Sequence, residues 1–277
     1  MRSREYLATL HANIAPTDVE IRDVQDTVDR VLASTREHLR LAEVRPAGSW
    51  AKGTMLRGRQ EADIIAILAD APSDATLERL AGHFDATLTG LRQRPDTSRK
   101  AVNLHFMNGV SIDLLPTAKD GRTAPGPSVP RKLRHAWKGV QHVQWLKEHA
   151  HGTVTHQVIR LAKHLRNRHA GDFHGMSSFA VEVMCVEMGL GGNLGDAFEA
   201  LLEKLAGGWL DGRRLPDPAE SGNDLLSELA DSGRRDIARR AAAALAAAEA
   251  GTWTAVFPTD SGTLPPPAGN LGGRTLG

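Results

Sequence analysis

A single cysteine, Cys185, occurs in the 277 residues, so no internal disulfide can form and no CxxC pair is present for zinc or redox chemistry. No apolar run comes near the roughly 18 residues needed to span a bilayer, which points away from a membrane. The opening segment MRSREYLATLHANIAP lacks the long apolar stretch of a secretory signal. These absences make a cytoplasmic protein the expectation. Net charge is scarce too: 34 Lys and Arg stand against 33 Asp and Glu, a total of +1, which excludes a histone-like polycation. No internal repeat is visible. What is present, 41% apolar and 24% charged residues, is the composition of an ordinary globular protein. At roughly 150 residues per domain the length suits one large or two modest domains.

The near-zero total hides an asymmetry. From Arg122 to Gly171 ten basic residues (Arg122, Arg131, Lys132, Arg134, Lys138, Lys147, Arg160, Lys163, Arg166 and Arg168) face one acid, Glu148, and seven of the twelve histidines share the stretch. A local basic field attracts phosphate even where the whole chain is neutral, so segment 122–171 is a candidate RNA contact. A solvated basic helix face accounts for the same pattern. His149, His151 and His156, without cysteines or a fixed carboxylate, are a weak zinc signal.

Thr17-Asp18-Val19-Glu20 has capping-box spacing, and Ile21, Val24, Val28, Val31 and Leu32 follow at helical period, predicting a helix over Asp18 to about His38. Ile64–Leu68 reads as a buried strand and Leu77–Leu91 as a helix. Alternation in Val102–Phe106 and again in Val110–Leu114 predicts a hairpin, with Asn108-Gly109 as a tight turn of positive φ at both positions. Pro116–Pro130 reads as a loop between two parts of the molecule. Beyond it, Val154–Leu165, Phe179–Met188, Phe198–Leu205, Leu225–Leu229 and Arg234–Glu249 read as helices, and Gly262–Gly277 as a Pro/Gly-rich tail. Strands crowd the first 120-odd residues and helices the rest. The expected fold is α+β: a small mixed sheet with flanking helices over 1–130, a helical domain over 131–255 closing a cleft, and a tail over 256–277.

Chemistry gathers in Gly48-Ser49-(x)4-Thr54-(x)6-Glu61-Ala62-Asp63. Glu61 and Asp63, two apart at a strand start, point to one face. Asp113 sits inside the apolar run Val110–Leu115, where an acid is costly unless paired or bound to a cation. Three such acids on neighbouring strands make a hard-oxygen site suited to Mg²⁺ or Mn²⁺. The glycine-serine turn offers backbone and hydroxyl donors to phosphate. An acid-x-acid pair alone is common polar capping; it is the order and strand context together that argue against coincidence.

The run Gly-Ser-Trp-Ala-Lys-Gly-Thr-Met-Leu-Arg-Gly-Arg-Gln-Glu-Ala-Asp-Ile, followed by Val-Ser-Ile-Asp-Leu-Leu-Pro, resembles the polymerase-β-like nucleotidyltransferase superfamily. The likeness is closest to the branch of oligoadenylate synthetases, archaeal CCA-adding enzymes and bacterial cyclic-oligonucleotide synthases of the antiphage CBASS type. The resemblance implies that Glu61, Asp63 and Asp113 bind the metal and that Gly48 and Ser49 hold the triphosphate. It continues through His142–Leu146, Val158–Lys163, Met176–Glu182 and Leu215–Asp224. By this likeness Lys163, Ser177 and Ser178 contact the nucleotide. Trp50, Trp145 and Cys185 read as packing residues instead.

One departure is Glu61, where most of the superfamily has Asp; the archaeal CCA-adding type resembles this chain there. The implied activity is two-metal nucleotidyl transfer from NTPs, ATP among them, with release of pyrophosphate. A cyclic or linear oligonucleotide second-messenger synthase is the first reading. RNA or tRNA 3′-end addition of the CCA type and a non-catalytic RNA-binding relative are the alternatives.

Overall fold

In a computed structural model, residues 3–98, 101–119 and 137–258 are described. Residues 120–136, which include the greater part of the expected loop Pro116–Pro130, and the expected Gly262–Gly277 tail lie outside them, as do Arg122, Arg131, Lys132 and Arg134 of the basic segment.

The first half runs α1 (Ser3–Ile14), α2 (Asp18–His38), β1 (Leu41–Ala47), α3 (Gly48–Ala51), β2 (Glu61–Leu68), α4 (Asp74–Thr87), β3 (Asp96–Ser98), β4 (Ala101–His105) and β5 (Ser111–Thr117). The second runs α5 (Trp137–His149), α6 (Gly152–Arg168), α7 (Ser178–Glu187), α8 (Leu194–Ala206), β6 (Pro216–Asp217), β7 (Glu220–Asp224), α9 (Asp231–Glu249) and α10 (Trp253–Val256). The architecture is α+β, as the sequence predicts. No helix among the described residues is long and apolar enough to cross a membrane.

Five strands form one sheet in the order β1-β2-β5-β4-β3, parallel only between β2 and β5. Alternation along the strands gives the sheet two different faces. Ala62, Ile64, Ala66, Val102, Leu104, Ile112 and Leu114 pack on Val24, Val28 and Val31 of α2 and on Leu77, Leu80 and Phe84 of α4. The opposite face buries Ala47, Ile65 and Ile67 beneath Val140 of α5. A β-carbon on Gly139 of α5 would lie 3.4 Å from the Ala47 side chain, so the helix rests directly on the sheet.

Helix α2 starts where its capping box predicts. Glu20 N donates to Thr17 Oγ1 (3.1 Å) and Thr17 N to Glu20 Oε2 (2.7 Å). Glu20 Oε1 also accepts from Gly58 N at 2.7 Å, fastening the helix to the segment ahead of β2.

Two local expectations are corrected. The β4–β5 loop is not a two-residue turn. Gly109 N donates to Phe106 O and Phe106 N to Val110 O, so Met107 and Asn108 are the central residues and Gly109, with φ of 86°, supplies the following left-handed position. Leu225–Leu229 forms turns rather than a helix, because Asp224 Oδ1 accepts from Leu215 N (2.9 Å) and Leu226 N (3.0 Å), folding the chain back at the end of β7.

The second core is helical, gathering α6, α7, α8, α9 and α10. Helix α1 belongs to it as well, through Leu7 and Ile14, although its place in the sequence puts it in the 1–130 unit. Tyr6 donates to Phe257 O at 3.0 Å and stacks on Trp253. Cys185 is buried in the helical core, and Trp145 and Trp50 pack, partly buried, against the helical and sheet cores respectively.

Candidate active site

Strand register places the acids. Ala47 pairs with Asp63, Asp63 with Asp113, Asp113 with Asn103 and Asn103 with Asp96. These five residues make one row across all five strands, on the face opposite α2 and α4. Cross-strand partners share a face. A second row, two residues earlier on β2, runs Glu61, Ser111, His105. His105 Nδ1 lies 2.9 Å from Ser111 Oγ.

Glu61, Asp63 and Asp113 are therefore neighbours on one face, with Asp96 a fourth acid in the row that the sequence did not signal. Asn103 Nδ2 donates to Asp96 Oδ1 at 2.5 Å. The crowding shows in Asp113, whose carboxyl is pushed up from 3.8 to about 7, chiefly by burial and then by the charges of Asp63, Glu61 and Asp96.

Gly48 opens α3 in the left-handed region, φ 72°, against Asp63. A β-carbon there would fall inside the Asp63 carboxylate and 2.8 Å from its Cγ. The glycine lets the turn and the acid share one place. Ser49 follows, half-buried, its carbonyl accepting from Thr54 N at 2.9 Å. The Gly48–Ser49 turn and the acid row are thus in contact.

Donor chemistry suits a divalent cation: hard oxygens from adjoining strands, one of them, Asp113, raised in pKa by burial and then by its neighbours' charge. Among the described residues no three His, Cys, Asp or Glu side chains are yet so placed that they could hold an ion as they stand. Glu61 is exposed at the strand start, on the same face as Asp63 and Asp113.

On the helical side the expected residues are differently employed. Lys163, expected from the resemblance to meet the triphosphate, is buried at 5% exposure. Its Nζ donates to Glu182 Oε1 (3.0 Å), Thr54 O (3.1 Å) and Thr54 Oγ1 (3.4 Å). Glu182, 1% exposed, also accepts from Thr54 Oγ1 (2.6 Å) and from Lys52 Nζ (2.5 Å). The two lysines hold the Glu182 carboxyl below the usual range, against the upward push of its burial.

Ser177 is the N-cap of α7, its Oγ accepting from Ala180 N at 3.0 Å, and Ser178 is the first helical residue. Phe179 next to them stacks on His142 at 3.8 Å, and His142 Nε2 lies 2.7 Å from Asp217 Oδ1. Asn223 donates to the other oxygen of Asp217 (3.0 Å).

Much of the basic segment is engaged internally. Arg160 donates to Gly53 O (2.7 Å) and Met55 O (3.3 Å), Arg166 to Met176 O (2.6 Å), and Lys138 pairs with Glu220. Lys147 and His151 are exposed.

Glu182 has a signal in the sequence: it is one of two charges in the apolar run Phe179–Met188, as Lys163 is a charge among apolar helix positions. Glu182→Ala leaves two lysine ammoniums in the interior without their carboxylate. It is expected to cost about 3–5 kcal/mol, read as the midpoint shift in urea at constant slope.

No protein-family model matches the chain. Among solved structures it is similar to CdnC of E. coli MS115-1 with ATP, at a TM-score of 0.72 and 19% identity over 92% of this chain and 98% of that one. The CD-NTase CdnG of Bradyrhizobium diazoefficiens in complex with GTP gives 0.63 and 18%, over 91% and 96%. A Cid1 poly(U) polymerase variant bound to MgATP gives 0.69 and 12%, over 92% and 98%. The chain has the fold of the polymerase-β-like nucleotidyltransferases.

Proposed function

We propose that the protein is a metal-dependent nucleotidyltransferase that joins ribonucleotides from NTPs, and that its product is a cyclic or linear oligonucleotide second messenger of antiphage signalling, made in the cytoplasm. The observation that carries the reading is the Asp63–Asp113 register pair beside the Gly48–Ser49 turn, with Glu61 two residues away. Likeness in fold to CdnC with ATP and CdnG with GTP supports the substrate class.

Glu61, Asp63 and Asp113 would hold the divalent cations, Mg²⁺ or Mn²⁺. Bound there, the ions supply Lewis-acid charge that favours ionisation of a hydroxyl and departure of pyrophosphate. Gly48 and Ser49 orient the phosphates through backbone amide and hydroxyl, and Ser177 and Ser178 offer hydroxyl protons at the start of α7. The acceptor hydroxyl oxygen bonds to the α-phosphorus as the α–β phosphoanhydride bond breaks, and the hydroxyl proton passes to solvent. The chain's own contribution is placement and charge, with the polar row set on a rigid sheet.

The test incubates the protein with the four ribonucleotides and Mg²⁺ or Mn²⁺ and resolves the products by mass. Oligonucleotides that vanish in Asp63→Ala, with Glu61→Asp still active, are expected. Unchanged turnover in Asp63→Ala removes the assignment of the acids. Fold likeness to a poly(U) polymerase favours a second reading, RNA 3′-end extension, with Lys147 and the rest of segment 122–171 as the RNA contact. Lengthening of added RNA without short products would select it. RNA affinity without turnover would select a non-catalytic relative.

A further inference from the structure

The helical core and the sheet core meet along a seam that the chain crosses more than once. Helix α1 packs with the helices through Leu7 and Ile14, whereas α2 joins the sheet through Val24. Met55 and Leu56 are neighbours in sequence, yet Met55 is buried with the sheet and Leu56 with the helices. The segment that leads to Glu61 therefore lies in the joint itself. Two arginines tie the crossings together. Arg57 holds the end of α1: its N–H donates to Ile14 O (2.8 Å), its Nε to Ala15 O (3.1 Å) and its Nη2 to Ala12 O (3.2 Å). Arg160 reaches across from α6, donating through Nη2 to Gly53 O (2.7 Å) and through Nε to Met55 O (3.3 Å).

The remaining end of the Arg160 guanidinium meets α1, with Nη1 3.3 Å from His11 Nε2. A guanidinium only donates, so His11 Nε2 accepts, which leaves the ring's one proton on Nδ1 and the ring uncharged. A second proton would remove the acceptor and set two cations against each other. Burial, and then the Arg160 charge, hold the His11 pKa below its ordinary 6.5. The groups around the pair do not compensate. Arg57 faces α1 from the segment, and His156 stands beside Gly53, one turn before Arg160. Lys163, further along α6, is engaged by Glu182. On α1 itself Arg4 is paired with Asp196 of α8, and Glu5 is exposed.

We propose that His11 and Arg160 are a positioning pair that bolts the Gly53 and Met55 carbonyls, and through them the approach to Glu61, to the helical unit, and that acid opens the bolt by protonating His11. The bolt is closed above pH 6.5 and opens as pH falls through the lower value that His11 has in the folded chain. Once Arg160 is repelled from α1, the two carbonyls lose their donor and the segment loosens. The joint behaves in this way whether or not the acid row turns over nucleotides.

Amide hydrogen exchange at pH 8 and pH 5, on the protein without nucleotide, tests it. Peptides covering 53–60 report the joint, because Thr54 N donates to Ser49 O and Arg57 N to Ile14 O, and α9 is the internal control. Protection factors are compared, which removes the intrinsic pH dependence of exchange. His11→Gln keeps an acceptor for Arg160 and takes no proton. It should match the wild type at pH 8. At pH 5 the wild-type segment should be about tenfold less protected than that of His11→Gln, with α9 alike in both. Arg160→Met should lack the protection already at pH 8. Equal protection of wild type and His11→Gln at pH 5 overturns the proposal, and does so even where Arg160→Met fails to fold. A loss in α9 as large as that in 53–60 also overturns it, since the whole molecule would then be loosening. An Arg160→Met segment as protected as the wild type at pH 8 overturns it as well, because Arg160 would then hold nothing.

Discussion

Asp113→Asn is expected to join no nucleotides and, without metal, to melt at a higher temperature than the wild type above pH 7. Both effects have one cause. Burial and the charges of Asp63, Glu61 and Asp96 raise the Asp113 carboxyl from 3.8 to about 7, so the folded chain holds this proton more tightly than the unfolded chain does. The associated stability is fully present below pH 3.8 and is lost as pH climbs to about 7. The span from 3.8 to about 7 corresponds to roughly 4 kcal/mol at most. Asparagine removes the like-charge repulsion and with it this pH dependence. Thermal melts from pH 4 to 8 in a chelator should therefore converge in acid and separate above neutrality. Adding Mg²⁺ or Mn²⁺ should raise the wild type and leave the variant nearly unmoved, because only a state that binds the ion is stabilised by it. Turnover should fall by on the order of a thousandfold or more, the scale of losing a charge partner worth several kcal/mol in the transition state. A variant less stable than the wild type at pH 8 would mean that the row is not electrostatically crowded.

Gly48→Ala is the second large effect. Residue 48 sits at φ 72°, where a β-carbon costs about 1–2 kcal/mol of backbone strain. That carbon would also overlap the Asp63 carboxylate. Either the turn moves off the sheet or Asp63 turns away from Asp113. Since a misplacement near 1 Å can cost about a hundredfold in rate, turnover should drop by at least that factor while the fold survives. Circular dichroism and steady-state kinetics on the same preparation separate the two. Near-normal kcat in Gly48→Ala would show that the turn takes no part in placing the acid.

How much of this was legible before the structure depends on how each feature is encoded. Helices α2 and α6 and strands β4 and β5 announce themselves by period, because each buries a stripe or a face, whereas α7 and β2 are legible as continuous apolar runs and α9 by its alanine content. Strand β1 does not: as an edge strand carrying Glu43, Arg45 and Pro46 it has little hydrophobic alternation to read. Strands β3 and β6 are too short for any period. The common face of Glu61 and Asp63 followed from their spacing, and Asp113 stood out as an acid inside the apolar run Val110–Leu115. Asp96 was hidden because only the register of β3 and β4 carries it into the row. Lys163 and Glu182 were visible as misplaced charges in apolar helices, but a linear chain does not state that they meet. Their 3.0 Å contact depends on α6 packing against α7.

Helix α1 carries a consequence for how the molecule is made. Leu7 and Ile14 dock among helices made well after the sheet, and the Tyr6 hydroxyl meets Phe257, some 250 residues along the chain. A ribosome delivers residues in order, and domains tend to form as they emerge. The sheet can assemble early, but α1 must wait, undocked, until the chain as far as Phe257 has been made before its binding groove exists.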